Sequence, residues 1–441
     1  MQRLIDHLDR STEGYEFEVD ELAPSVRLHV QPSDRFKQVT THVYQLNPLG
    51  PEAAERALIP LVLRSGCEGY PTRKAIAIRL QELFGASFSV RTSRFGHAHL
   101  QTYQLAYIAD RYLDGDRSAR DALDLLEDLL SRPVAPEKGA EGGTPTGFRP
   151  EYVQRERKQL LDTIDAQKEN KSSYAVRRCE KLLFMDDPYR YGTYGERDRV
   201  AGLEAEPLYE RYRSDRARSR FDVIVIGPTS VSSIRQQMRD GLLRRLPDRS
   251  PQPVEPVLEP AGNGEAMEVT ETGDGEQSWL VMGYRTPVVM GHPDMYALSV
   301  TVGLLGGFPH SKLFRNVREK EGLVYSIRAS LKRSVGLVLV TAGIDEENRE
   351  KTTSAIQSCV KQLVDGDFSD EELRMTRRKL VEQIVDMEDN PAKKAGSYLN
   401  RHLIDRVEPL SRIAEQVRAV DRKEVRDAAE DLSLAITYCR R

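Results

Sequence analysis

The 441 residues carry 65 basic and 69 acidic side chains, a net charge of -4. This length favours two domains over one core, and the even charge mix leaves no footprint for nucleic acid. Cys67, Cys179, Cys359 and Cys439 stand far apart with no C-x-x-C pair. That excludes a zinc knuckle and a disulfide framework and fits reduced thiols in the cytoplasm, the expected location. The longest apolar runs, such as Leu58 to Leu63, are too short to span a bilayer, so no membrane partner is expected.

Along the chain, Val26 to Leu46 predicts a strand pair, with Val26, Leu28 and Val30 alternating before a Pro-Ser-Asp turn and Val39, Thr41 and Val43 after it. Pro51 opens a helix to about Ser65, and Pro71-Thr72 opens a second to Leu83 that Gly85 ends. Phe88 to Val90 and Ala98 to Ile108 read as a hairpin around Arg94 to Gly96, followed by a helix from Ser118 to Leu130. Residues 133–149 are rich in Pro and Gly and read as a surface loop. Helical periods then cover Glu151 to Glu169, Tyr174 to Phe184 and Arg197 to Arg213, ahead of a β-branched strand from Phe221 to Ile226.

The stretch 251–276, rich in Pro, Gly and Glu, reads as a linker between an N-terminal domain at 1–250 and a C-terminal domain at 277–441. Beyond it come a strand from Ser278 to Tyr284 and a helix from Met295 to Leu305. A Gly306-Gly307 turn, a basic helix from His310 to Lys320, a turn at Gly322 and strands from Val324 to Ser330 and Gly336 to Gly343 follow. Helices are predicted over Glu347 to Val364 and Asp370 to Asp389.

The second half repeats the first. Gly85, Ser89, Val90, Arg91 and Ser93 recur as Gly322, Ser326, Ile327, Arg328 and Ser330 at one offset. Phe148, Glu151, Arg157, Leu160, Ile164 and Asn170 recur as Phe368, Glu371, Arg377, Leu380, Ile384 and Asn390 at a shorter one. The change of offset is about the length of the 133–149 loop, which the second half lacks, so a tandem duplication of an α+β unit is predicted.

Few chemical motifs survive inspection. Gly303 to Lys312 follows a helix rather than a strand and has Ser311-Lys312 in inverted order, which argues against a phosphate-cradling loop. None of the eight histidines forms H-x-x-x-H or H-x-x-E-H; His97 and His99 share a strand face without a nearby acid and read as a solvated hairpin edge. No G-x-S-x-G occurs. Arg318 and Tyr325 remain: a tight turn at Gly322 can bring a guanidinium fork and a phenol to one side, although an ion-paired arginine beside a core tyrosine fits the same residues.

The run Gly306-Gly307-Phe308-Pro309-His310-Ser311-Lys312-Leu313-Phe314, with Val317-Arg318-Glu319-Lys320, Gly322-Leu323 and Tyr325-Ser326, resembles the second-domain signature of the insulinase-like zinc metallopeptidases, which include pitrilysin and the mitochondrial processing peptidase. Tyr70-Pro71-Thr72, Leu83 to Ser87 and Asp187 to Gly192 extend the resemblance over nearly the whole chain. It implies two homologous tandem α+β domains, each a mainly antiparallel sheet packed with helices, together forming half of a clamshell chamber.

That family carries H-x-x-E-H on the first helix of its first domain. Aligned on the helix ending at Gly66, the five positions here are Ala57, Leu58, Ile59, Pro60 and Leu61, and the downstream zinc-ligand position falls at Thr163 beside Asp162. Alanine, proline and leucine can neither hold Zn²⁺ nor accept a proton, so the chain is expected to bind no metal at the H-x-x-E-H position. By the same resemblance Arg318 and Tyr325 are substrate contacts, with Gly306 and Gly307 shaping the loop beside them. The implied protein is a non-catalytic subunit of a heterodimeric peptidase that binds unfolded peptides while a partner subunit carries the zinc. A structural or binding protein with no role in proteolysis is the alternative, and a self-sufficient metallopeptidase with unconventional ligands, His97, His99 or another cluster, is a third.

Overall fold

The computed structural model describes the chain apart from residues 3, 6, 7, 9–15, 115–117, 137–146, 242–245, 247, 248, 257, 261–263 and 274–276. Most of the loop expected at 133–149, part of the linker expected at 251–276, and His7 lie outside the described residues.

Two sheets organise the fold. The first contains β1 (Glu18–Ala23), β2 (Val26–Pro32), β3 (Gln38–Pro48), β4 (Ser87–Phe95), β5 (Ala98–Ile108) and β6 (Arg220–Gly227), in the order β1-β2-β6-β3-β5-β4. The second contains β7 (Met267–Glu271), β8 (Ser278–Arg285), β9 (Val324–Lys332), β10 (Leu337–Ile344) and β11 (Ser433–Arg440), in the order β7-β11-β8-β10-β9. Leaving β1 aside, the two orders coincide. So do the directions: β2 and β6 run parallel, as do β7 and β11, and the other neighbours are antiparallel. The duplication read from scattered identities is thus a duplicated topology.

Several expectations change in detail. β2 and β3 form where a strand pair was read, but β6 lies between them, because a parallel β2–β6 pairing closes the first sheet. β7 sits inside the 251–276 stretch and pairs with β11, so the end of that stretch belongs to the second sheet. The helix expected over Arg197 to Arg213 breaks at Gly202 into α6 (Arg197–Ala201) and α7 (Ala205–Arg218).

Helices α1 (Ala53–Leu63), α2 (Arg73–Glu82), α3 (Ser118–Ser131), α4 (Pro150–Glu169), α7 and α8 (Val231–Asp240) accompany the first sheet, and α1, α3, α4, α7 and α8 supply most of the helical side of its core. In the second half α9 (Met295–Val302), α10 (Arg349–Val364), α11 (Asp370–Glu388), α13 (Leu410–Ala419) and α14 (Arg422–Glu430) do the same. Ile5 and Leu8 are also buried in this second core, so the N-terminus packs with the opposite half. No described helix is long and apolar enough to cross a membrane.

Both faces of each sheet are apolar, which explains why β6 reads as a continuous β-branched run. Val223 and Val225 enter the first core, while Ile224 and Ile226 point to the opposite face. That face is covered from the other half, by Ala395, Tyr398, Leu399 and Leu403 on and after α12 (Pro391–His402). Reciprocally, Ala175 and Cys179 of α5 (Lys171–Leu183) pack against Val281, Leu337, Leu339 and Ile436 of the second sheet. The two exchanged helices are repeat equivalents with the same start signal: Asn170 Oδ1 accepts from Ser173 N and Asn390 Oδ1 from Lys393 N, each at 3.0 Å.

A polar cluster joins α12 to the first sheet. His29 Nε2 lies 2.9 Å from Asp222 Oδ1, His29 Nδ1 lies 3.1 Å from the Tyr398 hydroxyl, and the rings of His29 and His402 are 4.6 Å apart. Arg220 donates to both oxygens of Asp222, and Arg27 donates to His402 Nε2 over 3.3 Å. Burial, then His29, Arg220 and Arg27, push His402 down to about 4 against the pull of Asp222. Burial acts to raise Asp222, but hydrogen bonds from His29 and Arg220 outweigh it and hold the carboxyl at about 2. His42 and His99, buried in the same sheet, are also lowered to about 4 by desolvation.

Imidazoles with depressed values bind fewer protons folded than unfolded, so the stability they contribute is complete above the ordinary histidine value of about 6.5 and declines as pH falls toward 4. Thermal unfolding should therefore occur at a lower temperature at pH 4.5 than at pH 7, and His402→Gln should shrink that difference. An unchanged pH dependence in the variant would exclude His402 from the effect.

Candidate functional site

The first half holds the position where the family resemblance implies zinc. Ala57, Leu58, Ile59 and Pro60 lie on α1 and are buried, and Leu61 is half-buried. Pro60 stands inside the helix, where it lacks the N–H that would bond the Arg56 carbonyl. Gln101, buried on β5, supplies a replacement: its Nε2 donates to Arg56 O at 2.9 Å. Thr163 on α4 is exposed and donates to Gln159 O of its own helix at 2.9 Å; neighbouring Asp162 is exposed too. Nearer the end of α1, buried Glu156 accepts from Ser65 Oγ at 2.9 Å, Arg155 Nε at 2.8 Å and Arg73 Nη2 at 2.5 Å. Its oxygens are thus occupied by donors.

The hairpin histidines do not form a metal site. His97 Nε2 lies 3.0 Å from Asp187, and His99, fully buried rather than at a solvated edge, donates Nε2–H to Thr193 O at 2.9 Å. His97 lies in the turn before β5 and His99 on β5, and the acid and carbonyl that engage them come from loops distant in sequence. Among the described residues the His29–Asp222–His402 group has three potential ligand atoms within 4.8 Å of one another. Arg27 and Arg220 donate directly to those atoms, and two guanidiniums oppose a bound cation. The group is an interface network.

The second-half stretch is built differently. After α9 the backbone widens into π-type turns over Gly303–Gly307 and Leu313–Lys320. Gly306 is buried against β9: a Cβ there would lie 2.6 Å from Ala329 N and 2.7 Å from Leu313 Cδ1. Gly307 is exposed and free of such crowding. Gly306 therefore permits close backbone approach and positions the segment.

Segment 313–320 is fixed on three sides. Leu313 and Val317 enter the second core. Asn316 Nδ2 donates to Gln362 Oε1 of α10 at 3.0 Å, while Lys312 and Arg315 pair with Glu372 at 3.5 and 3.1 Å. Glu372 also completes the capping box of α11 with Ser369. The preceding loop is pinned by His310, whose Nε2 lies 2.8 Å from Thr376 Oγ1.

These anchors leave Arg318 exposed, its guanidinium 4.7 Å from the Phe314 ring centroid. No acid among the described residues forms an ion pair with it.

Gly322 then turns the chain at φ 64°, as Gly85 does at 76° in the first half. The β9–β10 register runs Ser326↔Gly343 and then Val324↔Ile344, which leaves Tyr325 as the extra residue of a β-bulge. The bulge directs Tyr325 outward, 61% exposed. Its equivalent, Phe88, sits in an unbroken β4–β5 register, paired with Leu105. The ion-paired arginine and core tyrosine that the sequence also allowed are thus absent.

The phenol of Tyr325 donates to Asp345, 2.9 Å from Oδ1 and 3.1 Å from Oδ2. This contact raises the phenol above its ordinary value. Asp345 was not singled out from sequence. Folding the two predicted strands as a hairpin would have placed it opposite the start of β9.

Duplicated α+β halves, apolar side chains where the resemblance implies zinc ligands on α1, and an exposed Arg/Tyr pair in the second half together describe a peptidase-type fold without its metal motif. A family model described as "Peptidase M16 inactive domain" matches residues 203–380. The chain belongs to this M16, insulinase-like peptidase family. It is 30% identical to the probable inactive metalloprotease YmfF of Bacillus subtilis, across 93% of this chain and 94% of that one. Among solved structures, a conserved protein from Enterococcus faecalis matches with a TM-score of 0.89 at 25% identity, over 96% of this chain and 98% of that chain. An M16 inactive domain from Pseudomonas fluorescens matches with a TM-score of 0.72 at 16% identity, over 96% of this chain and 97% of that chain, and shares the fold. The positions that the resemblance equates with the H-x-x-E-H motif hold Ala57, Pro60 and Leu61, whose side chains are neither metal ligands nor bases.

The Gln101 contact is a consequence of Pro60. Gln101→Leu should lower stability by about 1–3 kcal/mol, because it strands a buried carbonyl. Chemical denaturation measures this, and a neutral variant would show that the Arg56 carbonyl finds another donor.

Proposed function

We propose that this chain is the non-catalytic subunit of a heterodimeric M16 peptidase, forming half of a chamber that holds unfolded peptides while a partner subunit supplies the zinc. The observation that carries this reading is the contrast between the halves. The H-x-x-E-H positions on α1 hold Ala57, Leu58, Ile59, Pro60 and Leu61, whereas Arg318 and Tyr325 are exposed, outside the core, and without an ion pair among the described residues. A guanidinium held over Phe314 is free to donate to a peptide carbonyl that gains negative charge during hydrolysis. β9 is an edge strand of its sheet, a suitable place for an extended peptide to lie. The same contrast in a relative named a probable inactive metalloprotease would be expected from this division of labour. We place the assembly in the cytoplasm, consistent with four free, buried cysteines.

Reconstitution with a zinc-bearing M16 subunit tests this. Arg318→Ala with Tyr325→Phe should lower kcat/KM of the complex about 10²- to 10³-fold, the range found when a transition-state hydrogen-bond donor is removed. Unchanged activity in an intact complex would sink the substrate role.

A further inference from the structure

Tyr325 and Asp345 form a pair whose polarity is set by a single proton. A phenol has one O–H, and here both carboxylate oxygens of Asp345 lie within 3.1 Å of it. While that bond persists, Tyr325 presents only lone pairs to a ligand and cannot also donate to a peptide carbonyl. Among the described residues no lysine, arginine or histidine forms an ion pair with Asp345. The adjacent acid differs, since Glu346 is engaged by Arg441 Nε at 2.8 Å and Ser278 Oγ at 3.1 Å. The bulge at Tyr325 holds the phenol at the surface of the edge strand, 61% exposed, so the acceptor face is open to solvent.

We propose that Tyr325 and Asp345 together form an acceptor site for a protonated amine of the bound peptide, its N-terminal ammonium or a lysine side chain. Arg318 and this site then have opposite preferences. The guanidinium takes a carbonyl or carboxylate oxygen, and the Tyr325–Asp345 pair takes N–H⁺, with the phenol oxygen and the carboxylate as its two acceptors. Two contacts of opposite polarity fix the direction in which a peptide lies, which two donors would not. Asp345 is a positioning residue for the phenol and the source of negative charge. The inference rests on reading this site as a peptide contact.

The test uses the full chain and three unstructured peptides of one sequence: lysine-free with a free N-terminus, lysine-free and acetylated, and acetylated with one internal lysine. Binding is measured by titration calorimetry. Acetylation should weaken binding about five- to tenfold, in the range of a partly exposed charge-assisted hydrogen bond, and less so at high salt. Asp345→Asn should abolish the preference for the free amine and move the tyrosinate titration of Tyr325 downward, while an unchanged circular dichroism spectrum shows that the fold is kept. Recovery of affinity by the internal lysine would assign the site to side-chain amines, and no recovery would assign it to the N-terminus.

If acetylation and Asp345→Asn leave affinity unchanged while Arg318→Ala weakens it, the amine site is overturned and the peptide-binding reading stands. If no peptide binds, or Arg318→Ala also has no effect, both fall.

Discussion

The fold depends on each half covering a sheet face that the other cannot. A sheet with two apolar faces needs cover on both. Each half's own helices cover one face, and the exchanged helices α5 and α12 cover the other. Charge is placed at both docks. Glu180 on α5 is buried between Arg94 and Lys332, and burial acts to raise its carboxyl while the two cations bring it below its ordinary value. At the other dock His29, Asp222 and His402 are enclosed by Arg27 and Arg220. Removing one member of such a buried group leaves the remaining charge uncompensated, which is destabilising.

Within that shared frame the two halves have diverged at equivalent places. The first has a regular β4–β5 hairpin with Phe88 half-buried against its core, and a first helix made of alanine, leucine, isoleucine and proline at the motif positions. The second has widened helical turns, a crowded Gly306 and a bulge, features that place backbone and side chains where regular structure would not. These irregularities lie beside the proposed surface contact. At Pro60 the geometry stays regular, and the Gln101 side chain supplies the donor that the proline lacks.

Much of this was legible in the sequence. Glycines that required positive φ, Gly85 and Gly322, marked the repeat because no side chain tolerates that backbone well. Asn170 and Asn390 marked it because both start helices. The α+β duplication followed from residue identity, and the motif positions were placed only through the family resemblance. Long-range pairing did not: nothing local places β6 between β2 and β3, or assigns α12 to the opposite sheet. The elements after Asp389 were not read, and β7 was hidden in a stretch whose composition suggests a linker. Arg318 and Tyr325 could be chosen by motif, but their exposure depends on the bulge and on Glu372, Gln362 and Thr376, residues far along the chain.

The chemistry divides accordingly. Ala57, Pro60 and Leu61 offer no lone pair for a metal and no base for water, whereas the second half offers a free guanidinium and a phenol paired with a carboxylate. The most direct measurement is zinc content and peptidase activity of the purified chain, alone and mixed with a zinc-bearing M16 subunit. The account predicts no stoichiometric zinc and no hydrolysis from the chain alone, and more hydrolysis from the mixture than from the zinc-bearing subunit by itself. Stoichiometric zinc with zinc-dependent hydrolysis by the isolated chain would contradict it.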